Sequence, residues 1–304
     1  MLSAKEYITH PEKLASTLLY KCGQWLPDKL YIKLLYRFRM GKRLDLNKPQ
    51  TFSEKLQWLK LYDRNPQYPA MVDKYEAKKY VADIIGEEYV IPTFGVWDTP
   101  EDIEWDKLPN KFVLKTTHGG GNTGVVICKD KTTFDKRDAI KKLNESFRQE
   151  IYHTLREWPY KKIKKRIIAE QYIDTLPGSN DLPDYKFFCF NGEPVYCQVI
   201  TGRNTKACSD FFDKKWEHQP FHEPSYYPFA DPSPEKPEQY NKMWELARIL
   251  AKDKAFSRID FYNVGQKVYF GEITFFPTSG YGGFSPKEYD LIIGNLIHLP
   301  LNQE

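Results

Sequence analysis

The sequence predicts an α+β protein with an N-terminal helical extension, and three observations carry that prediction. Residues 1–62 read as helical, a helix followed by short β-branched strands comes next, and the second half is dominated by antiparallel hairpins around one helix. With 304 residues, 41% hydrophobic and 15% aromatic, the chain can bury a core sufficient for one large or two small domains.

In the first segment Leu30, Ile32, Leu34 and Leu35 lie among Lys33, Arg37, Arg39, Lys42 and Arg43, and Thr51 with Glu54 forms a capping-box signal before KLQWLKLY. Two readings stay open for this basic, apolar stretch: peripheral contact with an anionic membrane, or amphipathic helices packed on their own domain. MVDKYEAKKYVADIIG reads as one helix stopped by Gly86, and EEYVIPTFGVW as a strand with proline and glycine breaks. KFVLKTTH, GVVIC and RIIAEQYI are strand-like, with one charged helix, KRDAIKKLNESFRQEIYHTLREW, between the second and third. YKFFCFN, PVYCQVIT, SRIDFYNV and KVYFGEITFF follow as strands, joined by tight turns at NGEP and at Asn263 to Gln266, with a helix over PEQYNKMWELARILAKDK.

Composition excludes several classes. A mean hydropathy of -0.64 and the lack of an apolar run of about eighteen residues predict no spanning helix. The start, MLSAKEYITHPEKLAS, has no apolar signal core. A cytoplasmic protein is expected, with peripheral contact at the inner membrane face as the variant that the basic helices suggest. The cysteines Cys22, Cys128, Cys189, Cys197 and Cys208 are odd in number and lack CxxC spacing, so neither a disulfide framework nor a zinc site is expected. A net charge of +4 is too weak for a dedicated nucleic-acid binder. The local run Lys161, Lys162, Lys164, Lys165, Arg166 is either a solvated helix face or a site for a phosphorylated or lipid-linked glycan.

KTTHGGGNTGVVICKD places Gly119, Gly121 and Gly124 at G-x-G-x-x-G spacing. A dinucleotide fingerprint requires a helix to start at the last glycine, and the β-branched VVIC that follows disfavours one. The segment reads as a hairpin tip, either a plain surface turn or a loop whose backbone N–H groups cover phosphates. Lys115 lies on the strand entering it, facing solvent or a charged ligand under the loop. No Walker Gly-Lys-Ser/Thr pattern occurs. Near the far end, Arg258 and Asp260 alternate to one face of a strand and Glu272 and Thr274 to one face of the next, so pairing through the Gly265 turn would bring them together. That set is either a magnesium site or a cross-strand salt bridge.

The order Lys74, Lys115 with HGGGNTG, AEQYI, DYK, RID and GEIT resembles the ATP-grasp superfamily. Its details resemble the branch named for teichuronopeptide biosynthesis among capsule and surface-polysaccharide enzymes, over about residues 50 to 285. The resemblance implies an ATP-grasp fold of two α+β lobes clamping ATP: a helical segment at 1–62, a small pre-grasp lobe at 63–105, a first grasp lobe at 106–172 and a second with the metal site at 173–304. It implies that Lys74 and Lys115 meet phosphates under a loop of His118, Gly119, Gly120, Gly121, Asn122, Thr123 and Gly124. Glu170 and the backbone of Tyr172 and Ile173 would take the adenine, Asp184 the ribose and Lys186 a phosphate. Asp260, Glu272 and Thr274 would hold magnesium, two ions in all, and Arg258, Lys186 and Lys115 would be catalytic. The superfamily pattern ends Glu-x-Asn, whereas this chain has Glu272-x-Thr274, and a hydroxyl is a weaker magnesium ligand than an amide carbonyl.

The activity so implied is an ADP-forming carboxylate–amine ligase acting through an acyl phosphate on a uronic or similar acid of a polysaccharide. Arg203, Asn204, Lys206 and Tyr281, with His118, are candidates to face that acceptor, which is free or lipid-linked. Rivals are a glycosyltransferase, for which Lys252-Asp253-Lys254 supplies no Asp-x-Asp motif, and a silent nucleotide-binding scaffold, which Thr274 favours.

Overall fold

In a computed structural model the described residues are 11–120, 123–175, 182–203, 205–223 and 227–300. Helices α1 (Pro11–Cys22), α2 (Asp28–Met40) and α3 (Phe52–Tyr62) occupy the first segment. The Thr51 hydroxyl accepts from Glu54 N, and the Glu54 carboxylate accepts from Thr51 N, completing the capping box that the sequence announces. Residues 1–10, also expected to be helical, lie outside the described residues.

The single helix expected after Met71 is two, α4 (Tyr68–Val72) and α5 (Glu76–Ile85). Asp73 ends the first and turns back on the second: its Oδ1 accepts from the backbone N–H of Tyr75 and Glu76, each at 2.9 Å. That local bond competes with helix continuation. The long charged helix is likewise two pieces, α6 (Lys136–Phe147) and α7 (Ile151–Leu155). The strand expected from Glu87 begins only at β1 (Thr93–Trp97), after a 3-10 turn at Glu87–Tyr89.

A four-stranded antiparallel sheet has the order β1-β4-β2-β3, with β2 (Phe112–Thr116), β3 (Val125–Cys128) and β4 (Ile167–Gln171). Alternation puts Phe112 and Leu114 inward, where they pack with Ile167, Ala169, Ala139 and Leu143. A five-stranded antiparallel sheet has the order β7-β6-β5-β8-β9, with β5 (Asp184–Phe190), β6 (Glu193–Thr201), β7 (Cys208–Phe212), β8 (Phe256–Val264) and β9 (Lys267–Thr274). Both tight turns fall where the sequence put them, whereas β7 and the final helix α9 (Glu288–Gly294) were not anticipated. One face of this sheet packs on α8 (Tyr240–Ala251) through Phe187, Phe261, Tyr240 and Trp244. The other face is divided: Phe188, Phe190 and Phe256 line one end, and Lys186, Arg258 and Asp260 continue the same parity toward the other. Helix α3 covers the aromatic end, with the Phe52 ring 5.0 Å from Phe256, 5.3 Å from Phe284 and 6.4 Å from Phe190.

The basic run at 161–166 is not one continuous helix face: Lys161 and Lys162 close a 3-10 helix at Trp158–Lys162, and the rest is extended chain. Lys164 pairs with Asp98, Lys165 with Glu150 and Arg166 with Glu76 as the chain extends toward β4. Truncation of Phe52 to alanine would open a cavity between α3 and the sheet. Phe52→Ala is therefore expected to lower the unfolding free energy by about 3–5 kcal/mol, read by urea denaturation.

Candidate active site

The site is built from two hairpins, one on each sheet. In the first, β2 and β3 are joined by the glycine segment, and the Thr116 N–H donates to Gly124 O at 3.1 Å to close its base. Gly124 has φ +80, and a Cβ there would meet Ser146 Oγ at 2.3 Å and Thr116 Oγ1 at 2.5 Å. Those two hydroxyls are themselves hydrogen-bonded at 2.8 Å. The position therefore requires glycine both for its left-handed backbone and for space. Gly120 faces open space apart from Ile151, and Thr123 is exposed. Gly121 and Asn122 lie outside the described residues.

Lys115 pairs with Ile168 across β2 and β4, which places Glu170 two residues on along the same face. The Lys115 ammonium lies 2.5 Å from Glu170 Oε2, and Lys78 of α5 lies 2.6 Å from Glu170 Oε1. Burial alone would raise the Glu170 carboxyl, but Lys115 and Lys78 outweigh it and hold it low. Lys78 escaped the sequence reading, although it follows Lys74 by four residues, in the first turn of α5. Tyr172 and Ile173 follow β4 as half-buried chain. His118 is buried edge-on against Phe147, with Nε2 3.3 Å from Ser146 O. Burial, and then the Lys165 charge, push its imidazole down to about 4, so it is neutral at pH 7.

The second hairpin carries the carboxylates. The turn pairs Val264 with Lys267, and simple alternation from there would set Asp260 opposite Gly271 and Glu272 on the wrong face. A one-residue bulge between Asp260 and Phe261 corrects the register, so that Asp260 faces Glu272 and Arg258 faces Thr274. Gly271 is the extra residue, and a Cβ on it would come within 3.1 Å of Asp260 O.

Arg258 then grips the cluster: Nε donates to Asp260 Oδ1 at 2.7 Å, and Nη2 to Asp260 Oδ2 at 2.7 Å, Glu272 Oε1 at 2.8 Å and Thr274 Oγ1 at 3.2 Å. Thr274 Oγ1 donates in turn to Glu272 Oε1 at 3.2 Å. Lys186, opposite Asp260 on β5, donates to Asp260 Oδ2 and lies 3.0 Å from Asp184 Oδ2. Arg203 in the β6–β7 connection reaches the same Asp184 oxygen, while Oδ1 of Asp184 is buried without a hydrogen-bond partner. Glu223, whose carboxylate accepts from Gln198 Nε2 at 2.9 Å, is a further acid in the field of Arg258 and Lys186. No motif announced it.

Lys74 is fastened to the first hairpin and brings its charge into the field of Glu272 on the second. Its backbone N–H donates to Thr117 O at 3.0 Å and its ammonium to Gly119 O. Burial would raise Glu272, yet Lys74, then Arg258 and Lys186, hold it down at about 2. Asp260 goes the other way: burial pushes its carboxyl up against Arg258 and Lys186, and Glu272 and Asp184 add to the rise. More positive charge beside Asp260 would therefore be favoured.

Among the described residues no group of three or more His, Cys, Asp or Glu could hold a metal alone. Magnesium takes few protein oxygens and completes its shell with phosphate oxygens and water, so Asp260, Glu272 and the Thr274 hydroxyl suit that ion beside a polyphosphate. Lys206 is exposed in the β6–β7 connection. Tyr281 is placed differently, buried among Leu19, Tyr31, Ile32 and Tyr36 with Lys60 4.6 Å from its ring.

A cationic glycine hairpin on one antiparallel sheet and an Arg–carboxylate knot on the other define a two-sheet α+β class of protein. The model of the TupA-like ATP-grasp family matches residues 54–298, and the chain belongs to that family. No curated protein matches. Among solved structures the chain is similar to D-alanine–D-alanine ligase from Bacillus anthracis complexed with ATP, at 20% identity and TM-score 0.38, over 67% of this chain and 53% of that one. It is similar to D-alanine–D-alanine ligase from Helicobacter pylori at 16% identity and TM-score 0.43, over 83% and 70%. A third is the ATP-grasp ligase PsnB complexed with minimal precursor, Mg and ADP, at 10% identity and TM-score 0.38, over 87% and 66%. The chain thus spans about half to two thirds of the length of these ligases.

The depressed Glu272 carboxyl sets a pH dependence. Its folded-state value lies below the unfolded one, so the stability it contributes is present above about pH 4.5 and is lost as pH falls toward 2. Thermal unfolding followed from pH 6 to about pH 2 is expected to decline less steeply in Glu272→Gln than in the wild type. Gly271→Val is expected to break the bulge and detach Glu272 from Arg258, seen as loss of magnesium-dependent nucleotide affinity by calorimetry while circular dichroism retains the fold.

Proposed function

We propose that the chain is an ATP- and magnesium-dependent carboxylate–amine ligase that joins an amine to an acid of uronic type on a surface polysaccharide precursor, in the cytoplasm. The observation that carries this reading is the placement of Lys74, whose ammonium donates to Gly119 O of the glycine hairpin while its charge lies in the field of Glu272 of the Arg258–Asp260–Glu272 knot.

Two features suit a nucleotide there. The unpartnered Asp184 Oδ1 is available to a ribose hydroxyl, and Lys115, Lys74 and Lys186 supply cations for a polyphosphate. Asp260, Glu272 and the Thr274 hydroxyl would hold magnesium, which when bound neutralises phosphate charge and polarises the transferring group. Glu170, between Lys78 and Lys115, fixes the Lys115 ammonium rather than leaving it to solvent. Lys186 and Arg258 share Asp260, so each presents a cation oriented in advance of the reaction.

The acceptor carboxylate oxygen attacks the γ-phosphorus, the bond to the β-phosphate oxygen breaks, and ADP departs. The amine nitrogen then attacks the acyl carbon, C–N forms, C–O to phosphate breaks, and the amine proton leaves with phosphate or solvent. Arg258 is the cation that the tetrahedral oxyanion would meet. Its guanidinium remains charged throughout, because Asp260 and Glu272 outweigh its burial.

The test is ADP release with ATP, magnesium and pools of uronic acids and amines. Release that requires both acid and amine is the expected result. Nucleotide binding without turnover, or consumption of a sugar nucleotide instead, would overturn the reading. Lys115→Ala and Arg258→Ala are expected to lower kcat/KM by about 100-fold or more, with thermal unfolding showing that the variants remain folded.

A further inference from the structure

The basic N-terminal helices bury most of their apolar side chains: Tyr31, Ile32, Leu35 and Tyr36 of α2 are fully enclosed. One corner is left over. Trp25, in the connection between α1 and α2, is 81% exposed, and Leu18 on α1 and Leu30 in the first turn of α2 are 52% and 46% exposed. Scattered exposed leucines are ordinary, but a tryptophan left 81% exposed is not.

The display is held rather than loose. Arg156, itself buried and with φ 56, donates from Nη2 to the carbonyls of Gly23, Gln24 and Leu26, so the backbone on both sides of Trp25 is fixed from beneath. Its guanidinium also lies 4.1 Å from the Tyr31 ring and 3.5 Å from Asp28. The buried guanidinium is paired and hydrogen-bonded, so the turn that carries Trp25 is held in one geometry.

Lys21 ends α1, and Lys29 and Lys33 stand on the exposed side of α2; all three are exposed and enter no ion pair among the described residues. Tryptophan flanked by lysines is the chemistry of an anionic bilayer surface: the indole settles at the headgroup level, the alkyl stems lie along it and the ammonium groups meet phosphates. No helix among the described residues is long and apolar enough to cross a membrane.

We infer that this corner, Leu18, Lys21, Trp25, Lys29, Leu30 and Lys33, docks the protein on an anionic lipid surface. The inference is independent of the ligase reading and concerns none of the residues of the nucleotide site.

The experiment is co-sedimentation of the full chain with vesicles of phosphatidylglycerol and phosphatidylcholine, against phosphatidylcholine alone. Binding to the anionic vesicles only is expected, weakening with salt, and falling about tenfold or more in Trp25→Ala and in Lys21→Glu with Lys29→Glu. These side chains are exposed, so thermal unfolding should be unchanged. Failure to bind, equal binding to neutral vesicles, or wild-type binding by Trp25→Ala would each overturn the inference. So would a concentration-dependent dimer that Trp25→Ala dissolves, which would make the corner a contact between copies of this chain.

Discussion

The arrangement of the site depends on one extra residue. β8 and β9 leave their turn in a register that would send Glu272 to the apolar face of the sheet, against α8. The bulge at Gly271 reverses the parity, and beyond it Asp260, Glu272, Arg258 and Thr274 share a face. Before the bulge Phe261 and Phe270 pack on the other face, with ring centroids 6.4 Å apart. One strand pair thereby serves the hydrophobic core at its turn end and a polar site at its open end.

Concentrating those charges is tolerable only because each has a partner. Arg258 satisfies two carboxylates with one planar fork, a geometry that a lysine could not reproduce. Lys186 shares Asp260 Oδ2 with Arg258 and links it to Asp184, and Arg203 closes the chain of contacts. On the other sheet Glu170 performs the inverse service for two lysines. Asp260 stands at the centre of these contacts, its carboxyl pushed up by burial and then by Glu272 and Asp184 against the pull of Arg258 and Lys186.

The helices pack against the two sheets that carry the charged surfaces. α3 closes the aromatic end of the five-stranded sheet, and Arg166 fastens the start of α5 to the four-stranded one through Glu76 at 2.7 Å and Asp73 at 3.6 Å. Lys74 emerges from the chain break that Asp73 creates, which is why its ammonium can reach Gly119 rather than continuing along a helix face. The break that the periodicity of 71–86 conceals is thus a requirement of the site.

Local chemistry was legible from the residues: the Thr51–Glu54 cap, the two tight turns, the alternation that buries Phe112 and Leu114, and the presence of Lys115, Asp184, Lys186, Arg258, Asp260 and Glu272 as charges on strands. These follow from backbone propensity and side-chain period, which act over a few residues. Tertiary structure alone decided what such rules cannot reach. It chose the bulge, because which face of β9 is apolar is fixed by segments distant in sequence, α4, α5 and the 3-10 turn at Glu87–Tyr89, that pack against it. It brought in Lys78 and Glu223, whose partners are distant in sequence, and it placed Tyr281 in the helical cluster. It also divided the N-terminal basic stretch into a packed face and an exposed corner at Trp25, since burial is a property of the assembled surface and not of any one helix.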